Sequence, residues 1–203
     1  MQISNRWISV SAGLVAGLLS FAASSSFAAA PSTEQKLNLA DVDQVDVRAE
    51  DLSSEDFLQS LHVINLSEID MARMSMDRSK DKDVNNYGRI LLRDHSLADE
   101  AIRFIAKQKG ISFEAGSFTD QTNSLKQNLD AAMARIDSAP EQDFRNVLSQ
   151  VGVEGHQQGL DLIKRAQSEV SDRTVRALAF LLEPVFQSHL KQAQQLQAAP
   201  QPQ

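Results

Sequence analysis

The run DKDVNNYGRILLRDHSLADEAIRFIAKQK, residues 81–109, decides the fold. Val84, Gly88, Leu91, His95, Ala98, Ile102 and Ile105 recur at intervals of four and three, the period of one face of an α-helix. Lys107 and Lys109 suit the negative end of the helix dipole, and Gly110 is a natural stop. A stripe this long predicts an amphipathic helix packed into a helical core. At its centre stands a histidine, where an aliphatic residue would be the ordinary choice.

The same pattern recurs on both sides. Upstream, Phe57, Leu61, Ile64, Glu68, Met71 and Ser75 share one face of a helix expected over 54–79, with Ser53, Ser54, Glu55 and Asp56 at its start. Downstream, Leu125, Leu129, Met133 and Ile136 predict a shorter helix near 119–137. Phe144, Leu148, Gly152, His156, Leu160, Ile163 and Ala166 predict a helix over 141–169, opened by Pro140. Val175, Leu178, Leu182, Val185, His189, Ala193 and Leu196 predict another over 171–196, with Pro184 expected to kink it. No segment alternates with period two for long enough to read as a strand. The expectation is an all-α fold: a four-helix bundle over 53–196 with an extra short helix between its second and third long helices.

Glu68, His95, His156 and His189 each fall mid-stripe on a different long helix. Short turns near residues 80 and 170 make two antiparallel hairpins. At about 1.5 Å per residue, the two polar groups of each hairpin lie within about 6 Å of the same height. If the hairpins align, one layer holds a carboxylate and three imidazoles. Such a layer suits one transition-metal ion, zinc, iron or manganese, and Asp94 is placed to orient an imidazole from behind. The same four groups also suit a buried hydrogen-bonded network that fixes helix register. A third reading has two histidines holding haem non-covalently. Gly152 and Gly159 flank His156 along the core face, where small size lets another group approach. His62 falls off the stripe and reads as a boundary residue, not a ligand.

The first 28 residues read as a secretory signal peptide: Arg6, the apolar run 8–19, and Ser26-Phe27-Ala28 before a cleavage point after Ala28. No cysteine follows the apolar run, so the reading excludes a lipoprotein. It places a mature chain of about 175 residues, without a transmembrane segment, in the periplasm or outside the cell. Residues 29–52 read as a polar arm, and the Gln/Ala/Pro-rich 197–203 as a disordered tail. The net charge of −7 argues against nucleic acid as a partner and leaves an envelope protein as the expected one. The chain has no cysteine, which excludes disulfides, iron–sulfur clusters and covalently attached haem.

Glu68-Ile69-Asp70-Met71-Ala72, Arg93-Asp94-His95, Gly155-His156-Gln157 and Ser188-His189-Leu190 together resemble a bacterial ferritin-like family known as domain of unknown function 4142. The resemblance spans about residues 53–196. It implies a ferritin-like bundle in an exported protein of undefined biochemical role. It does not imply a ferroxidase. Di-iron members of the superfamily pair Glu-x-x-His motifs with further glutamates. Here Leu92, Val153 and Phe186 stand three residues before the histidines. No nucleophile motif or phosphate loop is present, so no catalytic residue is assigned. The expected role is a structural or interaction protein of the cell envelope, with mononuclear metal binding as the alternative.

Overall fold

The computed structural model describes residues 52–114 and 116–198. The expected signal peptide, nearly all of the arm and the end of the tail lie outside the described residues. Five helices occur among the described residues: α1 (Ser54–Arg78), α2 (Lys82–Lys109), α3 (Asp120–Asp137), α4 (Phe144–Glu169) and α5 (Arg173–Ala198). No strand occurs among the described residues, and no helix among them is long and apolar enough to cross a membrane.

The helix ends follow from local chemistry. Ser53 accepts a hydrogen bond from the Asp56 amide, Asp81 from that of Asp83, and Thr119 from that of Thr122. Gly110 closes α2 in the left-handed region at φ 70°, which glycine tolerates without cost to a Cβ. α4 begins three residues later than its stripe predicts. Residues 140–143 form a tight turn, in which Asp143 and Phe144 donate to the carbonyls of Pro140 and Glu141, before the helical ladder starts. α5 begins at Arg173 because Asp172 caps the amides of Thr174 and Val175. It runs two residues into the segment read as a disordered tail. Pro184 does not interrupt α5. It sits on the exposed side, where water can serve the carbonyl that it leaves unbonded.

α1 packs on α2, α2 on α5, α5 on α4, and α4 back on α1, while α3 lies across α1 and α4. An ion pair between Lys109 and Asp172 sets the end of α2 beside the start of α5, so these two run antiparallel. Gly88 allows α2 close to α1: a Cβ there would collide with Ser75 and come within 2.9 Å of the Ala72 carbonyl oxygen. The α2–α3 connection crosses the flank of α1. Gln59 holds it by donating to the carbonyls of Ser112 and Ser117 and accepting from the Thr119 amide. That crossing corrects the reading of His62 as a boundary residue. Its ring is buried, stacked on Phe113 at 4.3 Å between centroids, with Nδ1 at 2.6 Å from Asp99 Oδ1.

The apolar core is divided in two. One cluster is built around Phe57, Leu61, Ile102, Ile163 and Leu182. The other is built around Met71, Leu91, Phe144, Leu148 and Leu196. On each long helix a buried polar residue falls between the two clusters: Asn65 and Glu68 on α1, His95 on α2, His156 on α4 and His189 on α5.

Candidate metal centre

Three imidazoles meet in the interval between the two clusters. One ring nitrogen from each of His95, His156 and His189 lies within 4.8 Å of the others, and all three residues are buried. Their ring centroids are 5.0–5.7 Å apart. Phe186 closes one side, its ring 5.5 Å from that of His95 and 5.7 Å from that of His156. Gly159 makes room for that phenyl ring, since a Cβ there would come within 2.7 Å of Phe186 Cδ1.

Each imidazole is fixed by an acceptor on its outer side. His156 Nδ1 donates to the Gly152 carbonyl one turn earlier in α4, at 2.7 Å. His95 Nδ1 donates to Asn65 Oδ1, also at 2.7 Å. His189 Nε2 donates to Asp94 Oδ2 at 3.0 Å, and Arg93 grips the same carboxylate at 2.6 and 3.1 Å. A neutral imidazole has one N–H and one lone pair. With the proton committed outward, His95 Nε2, His156 Nε2 and His189 Nδ1 turn lone pairs toward the interior. His156 Nε2 has no partner, and His189 Nδ1 faces His95 Nε2 at 3.2 Å.

Burial and mutual repulsion keep the rings neutral. His95 is held well below the ordinary histidine value, first by burial and then by the other two histidines. Burial takes His156 down to about 3, although the bond to Gly152 works the other way. His189 is lowered by burial despite Asp94. Burial pushes the Asp94 carboxyl up, but hydrogen bonds from Arg93 and His189 outweigh it and leave it below the usual range.

Glu68 stands apart from the three. Its Oε1 is 3.7 Å from His156 Nδ1, the ring nitrogen already bound to Gly152, and its Oε2 has no partner. Burial raises its carboxyl to about 8. The structure therefore joins His95, His156 and His189, leaves Glu68 beside them, and gives Asp94 to His189 rather than to its neighbour His95. Asn65, the partner of His95, is the residue of this layer that the stripe does not include. It lies one turn after Leu61 on the face of α1 that carries Glu68.

A family profile matches residues 38–196, nearly four-fifths of the chain. The chain belongs to the family described as Domain of unknown function (DUF4142). Among solved structures, this DUF4142 protein is similar to CopM in the Cu(II)-bound form. The TM-score is 0.55 at 14% identity, covering 71% of this chain and 95% of CopM, a likeness of fold. No curated protein matches the sequence.

Proposed function

We propose that this protein is an exported, ferritin-like four-helix bundle that binds one first-row transition-metal ion through His95, His156 and His189. The observation that carries the reading is the convergence of one nitrogen from each of three buried imidazoles, two of them 3.2 Å apart. In a tetrahedral site with bonds of about 2.0–2.1 Å, two imidazole nitrogens stand about 3.3 Å apart. His95 Nε2 and His189 Nδ1 stand at 3.2 Å. A cation between them turns a repulsive contact into two bonds. Gly152, Asn65 and Asp94 are the outer acceptors that orient metal-binding imidazoles.

The donor set suits copper and zinc: the spacing of the two nitrogens is the tetrahedral one that zinc takes, and Cu(II) would accept it in place of its usual tetragonal geometry. Imidazole suits both ions, and copper binds such sites more tightly in the divalent series. Manganese wants oxygen ligands, and no carboxylate is among the three donors. The Cu(II)-bound state of CopM, a protein of similar fold, makes Cu(II) the first ion to test. A bound ion would link α2, α4 and α5 at mid-height. Storage, delivery or stabilisation of the bundle all follow from that one act.

The test is titration of metal-free, untagged protein with Cu(II) and Zn(II). One equivalent is expected to bind, and saturation to raise the melting temperature by roughly 5–10 °C. His95→Ala and His189→Ala are expected to abolish both effects. A protein indifferent to either ion supports the hydrogen-bonded layer instead. The Asn65 amide would then be turned over, with Nδ2 donating to His95 Nδ1 and His95 Nε2–H donating to His189.

A further inference from the structure

A cavity of about 250 Å³ lies between α1, α3 and α4, walled by Leu125, Leu129 and Leu162 and floored by Glu68 and Gly155. Its rim carries the exposed Gln121 and Gln158, so it opens to solvent. It is large enough to admit water. The Glu68 side chain lines the cavity, is nine-tenths buried, and has one carboxylate oxygen without a partner. Its other oxygen stands 3.7 Å from the His156 ring. Glu68 therefore touches both the cavity and the wall of the triad.

We infer that this cavity is the entrance through which a divalent metal ion reaches the buried histidines, with the Glu68 carboxyl group passing it inward. The inference rests on the metal-binding reading above. A fully enclosed triad needs a path for its ion, and an ion leaving water needs an oxygen donor on the way. Glu68 supplies a carboxyl oxygen without a partner at the inner end of a cavity that opens to solvent. Gly155 keeps the passage open, because a Cβ at that position would press to 3.3 Å from Glu68 Oε1. Arg165, also at the cavity, does not repel an incoming cation, because Glu169 engages its guanidinium at 3.0 and 3.1 Å. Glu68 is not a ligand at rest in this assignment, which accounts for its place beside the triad rather than in it.

The experiment is stopped-flow mixing of metal-free protein with Cu(II), followed by the Cu(II)–imidazole absorption, alongside an equilibrium titration. The variants are Glu68→Gln, Gly155→Leu and Leu129→Trp. Each is expected to slow association by about tenfold or more, through loss of the carboxyl donor or through closure of the cavity. Dissociation should slow in proportion, so the equilibrium Kd stays at the wild-type value. Leu129 lies on the half-buried face of α3, so Leu129→Trp gives an answer even where Gly155→Leu unfolds. Unchanged association in the folded plug variants overturns the route. A Kd that weakens with Glu68→Gln makes Glu68 a ligand and overturns its role as a relay. Wild-type protein that takes up no Cu(II) removes the metal reading and the route together, whereas uptake indifferent to the plugs removes the route alone.

Discussion

Each imidazole of the triad is held by a different kind of acceptor: an amide oxygen, a peptide carbonyl and a carboxylate. Glu68 beside them wants the opposite pH. Between about 3 and 6.5 the unfolded chain takes up protons that buried His156 refuses, and His95 and His189 are shifted in the same direction. Stability of the metal-free protein therefore falls as pH drops through that window. Between 4.5 and about 8 folded Glu68 keeps a proton that the unfolded chain has lost, so its contribution falls as pH rises. Denaturant unfolding across pH is expected to show greatest stability near pH 6.5, with a steeper acid limb because three groups act there against one. Glu68→Gln should flatten the alkaline limb up to pH 8, and an unaltered limb would contradict the assignment. The histidines were legible in the sequence because a polar residue on an apolar stripe stands out. The separation of Glu68 from them was not legible. A difference of one ring nitrogen's position depends on helix rotation and on which side of His156 the Gly152 carbonyl occupies.

At the scale of the helices, small residues set how closely the elements meet. Gly152 admits the Tyr87 hydroxyl, 2.7 Å from where a Cβ would stand, and Gly159 admits Phe186. Gly159→Ala tests which effect dominates. Alanine improves helix propensity by about 1 kcal/mol, but forcing a methyl group into a filled space costs about 1–3 kcal/mol. Phe186 is fully buried and cannot swing into solvent, so a net loss of stability is expected, read as a lower denaturant midpoint. Cu(II) affinity should fall with it, because Phe186 packs on two of the three rings. A stabilised variant would show that the phenyl ring has room to move. The periodic stripes of α1, α2 and α4 were readable because their apolar residues face the core without exception or nearly so. On α5 the stripe reading chose Val185, whereas Phe186 takes the core position and Val185 is half-buried. Adjacent apolar residues at a stripe's edge differ by only a small helix rotation, which spacing alone does not settle. Asp172 as the cap of α5 was equally hidden, since Ser171 beside it is as good a candidate by residue type.

In the whole molecule, α3 is the piece that the core does not hold by burial alone. Its stripe is mostly half-buried, with Ile136 the fully enclosed anchor. Arg78 at the end of α1 secures it, donating to the carbonyls of Ile136 and Asp137 at 2.7 and 2.8 Å and to that of Ala139 at 2.6 Å, and lying over the Phe144 ring. Arg78→Ala is expected to cost about 1–3 kcal/mol and to speed amide exchange in α3 ahead of the other helices. Cu(II) affinity should hold, because α3 contributes none of the three nitrogens; a joint loss would mean that α3 sets the triad's geometry. The order of the elements could be read from composition and turns, but the way α3 and the preceding connection cover α1 could not, and that cover is what buries Gln59 and His62. One further property comes with the Tyr87 contact. The chain has one tryptophan, Trp7, in the segment read as a removable leader, and one tyrosine, Tyr87. Tyr87 touches Gly152, whose carbonyl holds His156. A chain starting after residue 28 thus glows in the ultraviolet from a single phenol, seated next to the place where a paramagnetic ion would extinguish it, and so carries its own indicator of occupancy without any dye.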